Sequence, residues 1–211
     1  MNDAAVPAAT EFDREYAAEQ LRRSKHPLRR FVKGFYLREV LRDVRGPTID
    51  FGCGAGQLLH LLPSGSVGLE VNAHLIDALR GRGLTIHQAR ADMRDFELDG
   101  FAAGRFRTLV IAHVLEHLPD PVAALRVLLA SCRRLGIFRV IVIVPGARGF
   151  ASDRTHKTFI DAAWVQAHLA ANVEGFRRSA PSYFPGPWEW IGDHFVFNEM
   201  KLVFDRPDVA R

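Results

Sequence analysis

Cysteine is scarce in this sequence: Cys53 and Cys132 are the only two among 211 residues. Two thiols cannot build a disulfide framework or a zinc-finger set, so a reduced, cytoplasmic setting is expected. Long apolar runs are also missing. The longest, 135–145, is interrupted by Arg139 and is too short to cross a bilayer. The first ten residues, MNDAAVPAAT, carry neither the charged region nor the apolar stretch of a secretory leader. Repeats, low-complexity tracts and linker-like segments are absent. Membrane spanning, secretion and disorder are therefore not expected.

What is present fits one globular domain. Apolar residues make up 48% and charged residues 25%, and a chain this long buries on the order of 70% of its unfolded surface. Lys and Arg number 28 against 24 Asp and Glu, a net charge of +4, and the pI is about 9.4. Such an excess invites a nucleic-acid reading, which depends on where the charges sit. Nine of them crowd one segment: Arg22, Arg23, Lys25, Arg29, Arg30, Lys33, Arg38, Arg42 and Arg45, opposed mainly by Glu39 and Asp43. Leu28, Phe31, Val32, Phe35, Tyr36, Val40 and Leu41 recur there at helical spacing, the pattern of one buried face. The basic residues are then either a solvated face or a set of guanidiniums offered to an anionic acceptor such as a phosphate or carboxylate. The aromatics fall on the apolar stripe rather than between the cations, which argues against base stacking.

The expected elements run as follows. Two helices occupy 11–23 and 26–44, an N-terminal helical cap (1–46) on a core formed by 47–211. Beyond Gly46 and Pro47, strands are expected at 48–51, 66–71, 84–89, 108–114 and 139–144, and helices at 57–62, 74–80, 122–134 and 164–171. Segments 177–180 and 195–204 read as a closing antiparallel pair. Alternating strands and helices specify a doubly wound, mostly parallel α/β sheet. The long polar loop 146–159 is a candidate for function, as is the aromatic, proline-rich stretch 183–190, which would wall an acceptor site or pack on a sheet edge.

Chemistry concentrates at the first strand-to-helix turn, Asp50-Phe51-Gly52-Cys53-Gly54-Ala55-Gly56. Glycines there allow a tight turn and close approach of the backbone to a ligand. The third glycine comes one residue earlier than in the dinucleotide pattern G-x-G-x-x-G, with Gln57 in its place. Asp50 puts a carboxylate where a pyrophosphate would be repelled, so a ligand with a cationic end suits the turn better. Glu70 ends the second strand, in the position and with the chemistry to accept hydrogen bonds from two ribose hydroxyls. Asp92 follows the third strand and is placed to accept from an adenine amino group, with Met93 against the ring.

These segments, with Gly68-Leu69-Glu70-Val71, Ala91-Asp92-Met93 and Val114-Leu115-Glu116-His117-Leu118-Pro119-Asp120-Pro121, resemble the class I S-adenosylmethionine-dependent methyltransferases. The resemblance runs from residue 48 to the C-terminus. It implies a Rossmann-like methyltransferase fold, with a seven-stranded sheet and an antiparallel C-terminal strand. It also implies S-adenosyl-L-methionine as cofactor and S-adenosyl-L-homocysteine as product. By that resemblance Asp50 and the Gly52, Cys53, Gly54, Gly56 turn hold the methionine end, Glu70 and Val71 the ribose, and Asp92 and Met93 the adenine. Ala112 and His113 line the pocket. Phe106-Arg107 departs from the family, which often has Phe-Asp there.

His113-Val114-Leu115-Glu116-His117 also fits the H-x-x-E-H zinc-protease pattern. That chemistry needs a stable helix, and Pro119 with Pro121 would break it, so no metal is expected. His113, at the end of the fourth strand, is read either as a general base toward an attacking hydroxyl or amine, or as a pocket-wall residue. His156, on the loop after the fifth strand, either faces the acceptor or anchors the loop. The expected activity is methyl transfer to a small polar acceptor, with an anionic one (phosphorylated, sugar-linked or carboxylated) as the form the basic segment would suit. The alternatives are an RNA or protein methyltransferase using the basic helices, and a non-catalytic cofactor-binding module.

Overall fold

The computed structural model of the chain describes residues 27–206, together with Ala18 and Arg22. The expected helix over 11–23 otherwise lies outside the described residues, as do the side chains of residues 27–33. Three of the seven stripe residues and Arg23, Lys25, Arg29, Arg30 and Lys33 fall in that group. Helix α1, Pro27–Asp43, is followed by β1 (Thr48–Phe51), β2 (Val67–Glu70), α2 (Ala73–Arg80), β3 (Ile86–Gln88) and β4 (Thr108–Ala112). Next come α3 (Pro121–Leu135), β5 (Arg139–Pro145), α4 (Ala147–Ala151) and α5 (Ala162–His168). The chain then forms β6 (Asn172–Val173), β7 (Phe176–Arg178), β8 (Ser182–Phe184) and β9 (Glu199–Asp205).

Sheet order is β3-β2-β1-β4-β5-β9-β7-β6, with β8 on β9. Strands β1 to β5 are parallel, and β9 runs antiparallel to β5 from Arg139↔Asp205 to Pro145↔Glu199. The sheet has nine strands rather than seven because β6 and β8, two and three residues long, add short pairs at the antiparallel edge.

The parallel strands are apolar on both faces because helices cover both. Along β4, Leu109 and Ile111 face the layer of α3, with Leu125, Leu128 and Leu129. Val110 and Ala112 face α1, where Tyr36, Val40 and Val44 pack with Ile141 and Ile143. That period of two is the pleat of the strand. Phe35 leaves the expected stripe and is 48% exposed. In α3, Asp120 accepts from the Ala123 N–H at 2.9 Å, Pro121 opens the first turn, and Gly136 closes the helix at φ +78°.

One expected helix is absent. Over 57–62 the chain makes only a 3-10 turn, Leu59–Leu61, after which Leu62 is extended at ψ 155°. Pro63 follows, and a residue before proline is driven out of the helical region. Among the described residues no helix is long and apolar enough to cross a membrane.

Helix α1 is fastened to the sheet at its C-terminal half. Lys201 of β9, 6% exposed, donates to Glu39 at 2.6 Å and to Asp43 at 2.7 Å. Arg139 donates to the Asp43 carbonyl at 3.0 Å while gripping Asp205 with two further bonds, a cation at a helix C-terminus where the dipole favours it.

Candidate functional site

A cavity of about 370 Å³ opens at the carboxyl ends of β1, β2 and β4, the edge where open α/β sheets bind ligands. Its floor is the glycine turn. Gly52 and Cys53 both donate their N–H to the Leu69 carbonyl at 2.9 Å, which bends the chain sharply. Gly52 has φ +73°, and a Cβ there would stand 2.6 Å from Val114 Cγ2. Gly54, at φ +51°, faces open space on the cavity wall. Gly56 is not on the wall. Its φ is +72° and a Cβ would meet Leu79 at 2.7 Å, so it lets α2 pack under the turn.

Glu70 is 7% exposed and organises this floor. One carboxylate oxygen accepts from the Gly54 N–H at 2.7 Å, the other from Val71 and Asn72 at 2.9 and 3.0 Å. Burial raises its pKa, and those three N–H groups oppose the rise. Asp50, also buried, lies beside it on the wall with Cys53; burial pushes the Cys53 thiol up, so it is not a reactive thiolate.

Beyond the end of β3 the wall is Ala89, Ala91, Phe96 and Leu118, an apolar slot suited to a flat ring. Asp92 lies at its rim. Its carboxylate accepts from the Arg94 backbone at 2.9 Å and from the Arg94 guanidinium at 2.6 Å, and that Arg94 bond holds its carboxyl below the usual range. Met93 is 36% exposed and lies off the cavity wall, because the 3-10 turn Met93–Glu97 rotates it outward and brings Phe96 in. Asp95 is on the wall instead; it bonds the Arg90 N–H at 2.9 Å.

At the other end stand Ala112, His113 and Tyr36. His113 adopts φ +56°, rare for a side chain of its size, while its N–H still reaches the Ile143 carbonyl at 3.0 Å. That turn swings the imidazole between two acids: Nδ1 is 3.3 Å from Glu116 Oε1 and Nε2 is 3.2 Å from Glu199 Oε1. Burial disfavours the charged ring, but Glu199 and Glu116 outweigh it and raise the pKa to about 10. That raised pKa favours the charged ring and weighs against the general-base reading of His113, leaving the pocket-wall reading the better supported.

His156 stands behind the wall rather than in it. Its side chain is 8% exposed, and Nδ1 donates to the Phe150 carbonyl at 2.8 Å. It joins the 146–159 loop to Glu116, with Nε2 at 3.9 Å from Glu116 Oε1.

The structure thus brings Asp50, Gly52, Cys53, Gly54, Glu70, Val71, Asp92, Ala112 and His113 to one cavity and leaves Gly56, Met93 and His156 outside it. Sequence reasoning missed Asp95, Glu199 and the part played by Tyr36, which it placed in the apolar stripe. Tyr36 is indeed buried, with its ring 6.1 Å from that of His113 and 5.7 Å from that of Phe184. Only its place on α1, across the cavity mouth, reveals its second role. The 183–190 stretch divides. Phe184 is buried against Tyr36, whereas Trp188 and Trp190 are each 59% exposed and line a separate depression with Tyr183.

The methyltransferase-domain family matches residues 17–175 of the chain. No curated protein matches it. Among solved structures, it is similar to a SAM-dependent methyltransferase from Archaeoglobus fulgidus: 20% identity, TM-score 0.66, covering 92% of this chain and 100% of that one. It is also similar to a putative methyltransferase from Haloferax volcanii solved with the Trm112 methyltransferase activator: 13% identity, TM-score 0.64, covering 96% and 98%. The N-methyltransferase NodS from Bradyrhizobium japonicum WM9, solved with S-adenosyl-L-homocysteine, aligns with 16% identity and TM-score 0.57, covering 92% and 97%. At these identities the likeness is one of fold.

Proposed function

The chain belongs to the methyltransferase-domain family, and we propose that it transfers the sulfonium methyl of S-adenosyl-L-methionine to a small polar acceptor, releasing S-adenosyl-L-homocysteine. The observation that carries this reading is that carboxylates from three successive strand ends, Asp50, Glu70 and Asp92, line one cavity of about 370 Å³ beside a glycine floor. That volume suits one small cofactor. The donor molecule carries a net positive charge, and an acidic wall attracts it where it would repel a dinucleotide pyrophosphate.

The assignment follows the chemistry of each wall. Glu70 meets the ribose hydroxyls, Ala89, Phe96 and Leu118 enclose the adenine with Asp92 at its rim, and Asp50 with the Gly52–Gly54 backbone takes the methionine end. The methyl then points toward Tyr36 and His113. Transfer is an in-line displacement: the acceptor lone pair forms the new bond to carbon as the carbon–sulfur bond breaks and its electrons return to sulfur. The leaving group needs no acid, so the protein contributes alignment and exclusion of water. His113, paired with Glu199 and Glu116, fixes the shape of the transfer end.

Near that end lie Asp50, Glu116 and Glu199, which favours an acceptor presenting a hydroxyl or amine. An acceptor with a phosphate or carboxylate would need a cation as partner, and the basic N-terminal segment is the part of the sequence richest in them. Among the described cations there, Arg42 pairs with Glu39 at 2.7 Å, and Arg45 donates to the Arg42 and Val44 carbonyls.

Calorimetric titration with S-adenosyl-L-homocysteine tests the cofactor reading: one saturable site is expected, and no binding at millimolar concentration overturns it. Turnover of methyl-labelled cofactor against hydroxyl, amine and carboxylated acceptors tests transfer. Binding without transfer to any of them would favour a non-catalytic module.

A further inference from the structure

Behind the transfer end, the 3-10 turn Leu115–His117 and the loop before Phe159 bring together Glu116, His117 and His156. One ligand atom from each lies within 4.8 Å of the others. Glu116 is completely buried, and neither of its carboxylate oxygens has a hydrogen-bond partner. His113 and His156 approach Oε1 only at 3.3 and 3.9 Å. His113 thus offers charge on the Oε1 side, but no hydrogen bond satisfies either oxygen, and a fully buried carboxylate in that state has capacity for a further cation.

The two histidines are oriented as ligands. A carbonyl can only accept, so the 2.8 Å contact of His156 Nδ1 with the Phe150 oxygen places the proton on Nδ1 and leaves Nε2 toward Glu116. The His117 ring is fixed by a relay. The Thr155 hydroxyl gives its single proton to Asp153 Oδ1 at 2.7 Å. Its oxygen therefore accepts from His117 Nδ1 at 3.0 Å, so in the neutral ring His117, like His156, has its lone pair on Nε2. Metal-binding histidines are held in this way, the outer nitrogen tied to a carbonyl, hydroxyl or carboxylate.

We propose that Glu116, His117 and His156 form a binding site for one divalent first-row transition-metal ion at the back of the cavity. Two imidazoles and one carboxylate suit manganese, iron, cobalt, nickel or zinc better than magnesium or calcium. Three protein ligands leave positions for water or an acceptor oxygen, and His117 is itself on the cavity wall. Any part for the ion in methyl transfer rests on the cofactor reading above; the site itself does not. The zinc-protease reading of the same segment used His113 and His117 on one helix. Here the segment is a 3-10 turn, His113 is turned toward Glu199, and the second histidine comes from a loop 39 residues further along.

The test uses the full chain, stripped with a chelator and titrated with cobalt(II). One equivalent is expected to bind with visible d–d absorption bands. His156→Ala is expected to weaken binding at least tenfold, and Thr155→Val, which removes no ligand, about 10- to 100-fold. Circular dichroism melts confirm that each variant is folded. S-adenosyl-L-homocysteine affinity of His156→Ala is expected to stay at the wild-type value, because His156 lies off the cavity wall; that measurement separates failure of the metal site from failure of the cofactor site. No saturable cobalt binding up to millimolar concentration overturns the proposal, and so does equal binding by wild type and a folded His156→Ala. Either result would leave His113 as the charged neighbour of Glu116.

Discussion

Lys201 and Glu39 meet at 2.6 Å across 162 residues of chain, joining the last strand to α1, whose Tyr36 lines the cavity and forms the part of its wall termed the roof. The lysine side chain is 8% and the glutamate side chain 26% exposed, so this contact is partly shielded from water and salt. Replacing Lys201 with Met is expected to destabilise the fold by about 1.5–3 kcal/mol, the range for a hydrogen bond to a charged group. It is also expected to weaken S-adenosyl-L-homocysteine binding through the displaced Tyr36. Urea unfolding and calorimetry measure the two; unchanged values in both would remove the contact from the account of the roof.

The same contact makes stability depend on pH at both ends. The hydrogen bond from Lys201 is the main cause holding the Glu39 carboxyl below its ordinary value. Its contribution is therefore complete above the unfolded pKa of about 4.3 and is lost as pH falls through the lower folded value. For Lys201, burial opposes the charge, but bonds to Asp43 and Glu39 prevail and raise its pKa. That contribution is complete below about pH 10.4 and is lost as pH rises through the higher folded value. Thermal melts of wild type and Glu39→Gln are expected to differ at pH 7 and converge toward pH 3. A constant difference would assign the effect to something other than this titration.

Glu70→Gln keeps the side-chain shape and replaces one acceptor oxygen by an NH2 that faces backbone donors. Cofactor affinity is expected to fall by about 1.5–3 kcal/mol, or roughly 10- to 150-fold. Stability is expected to fall as well, since one of the Gly54, Val71 and Asn72 N–H groups loses its partner. Parallel calorimetry and denaturation separate the two losses; wild-type affinity in the folded variant would move the ribose elsewhere.

Gly52→Ala and Gly54→Ala form a matched pair. Both positions have positive φ, costing about 1–2 kcal/mol for alanine. At Gly52 the new methyl also strikes Val114 Cγ2 at 2.6 Å, whereas at Gly54 it meets nothing within 4 Å. Gly52→Ala is expected to be the less stable variant, and Gly54→Ala to be folded but impaired in cofactor binding because its methyl occupies the cavity. The reverse order of stabilities would contradict the described floor.

Much of the site was legible in the sequence because its parts are local. Asp50, the glycine turn and Glu70 each sit at the end of an apolar strand, and a single short element specifies each position. What could not be read depends on contacts between distant segments. Glu199 reaches His113 only because β9 runs antiparallel beside β5, and that contact raises the pKa of a ring read from sequence as either a base or a pocket wall. Tyr36 shares its spacing with the core residues Val40 and Val44, and nothing in that period marks which of them overlooks a cavity. Met93 is expected against the ring, but the five-residue 3-10 turn Met93–Glu97 leaves it outside and puts Phe96 on the cavity wall. In the fold, the parallel strands and α3 follow from long apolar runs and clear caps. The helix expected over 57–62 yielded to Pro63, and β6 and β8 are too short to leave a period.

The roof of the cavity is held by residues of the final strand, which gives the molecule an order of assembly. A chain emerging from the ribosome has the glycine floor, Glu70 and the apolar slot long before residues 199–205 appear. Until β9 is laid against β5, Lys201 cannot hold Glu39 and Asp43, and Glu199 cannot draw His113 into place. Helix α1 and β9 must therefore meet before Tyr36 and His113 stand in place at the transfer end, so that end of the cavity is the last to be completed.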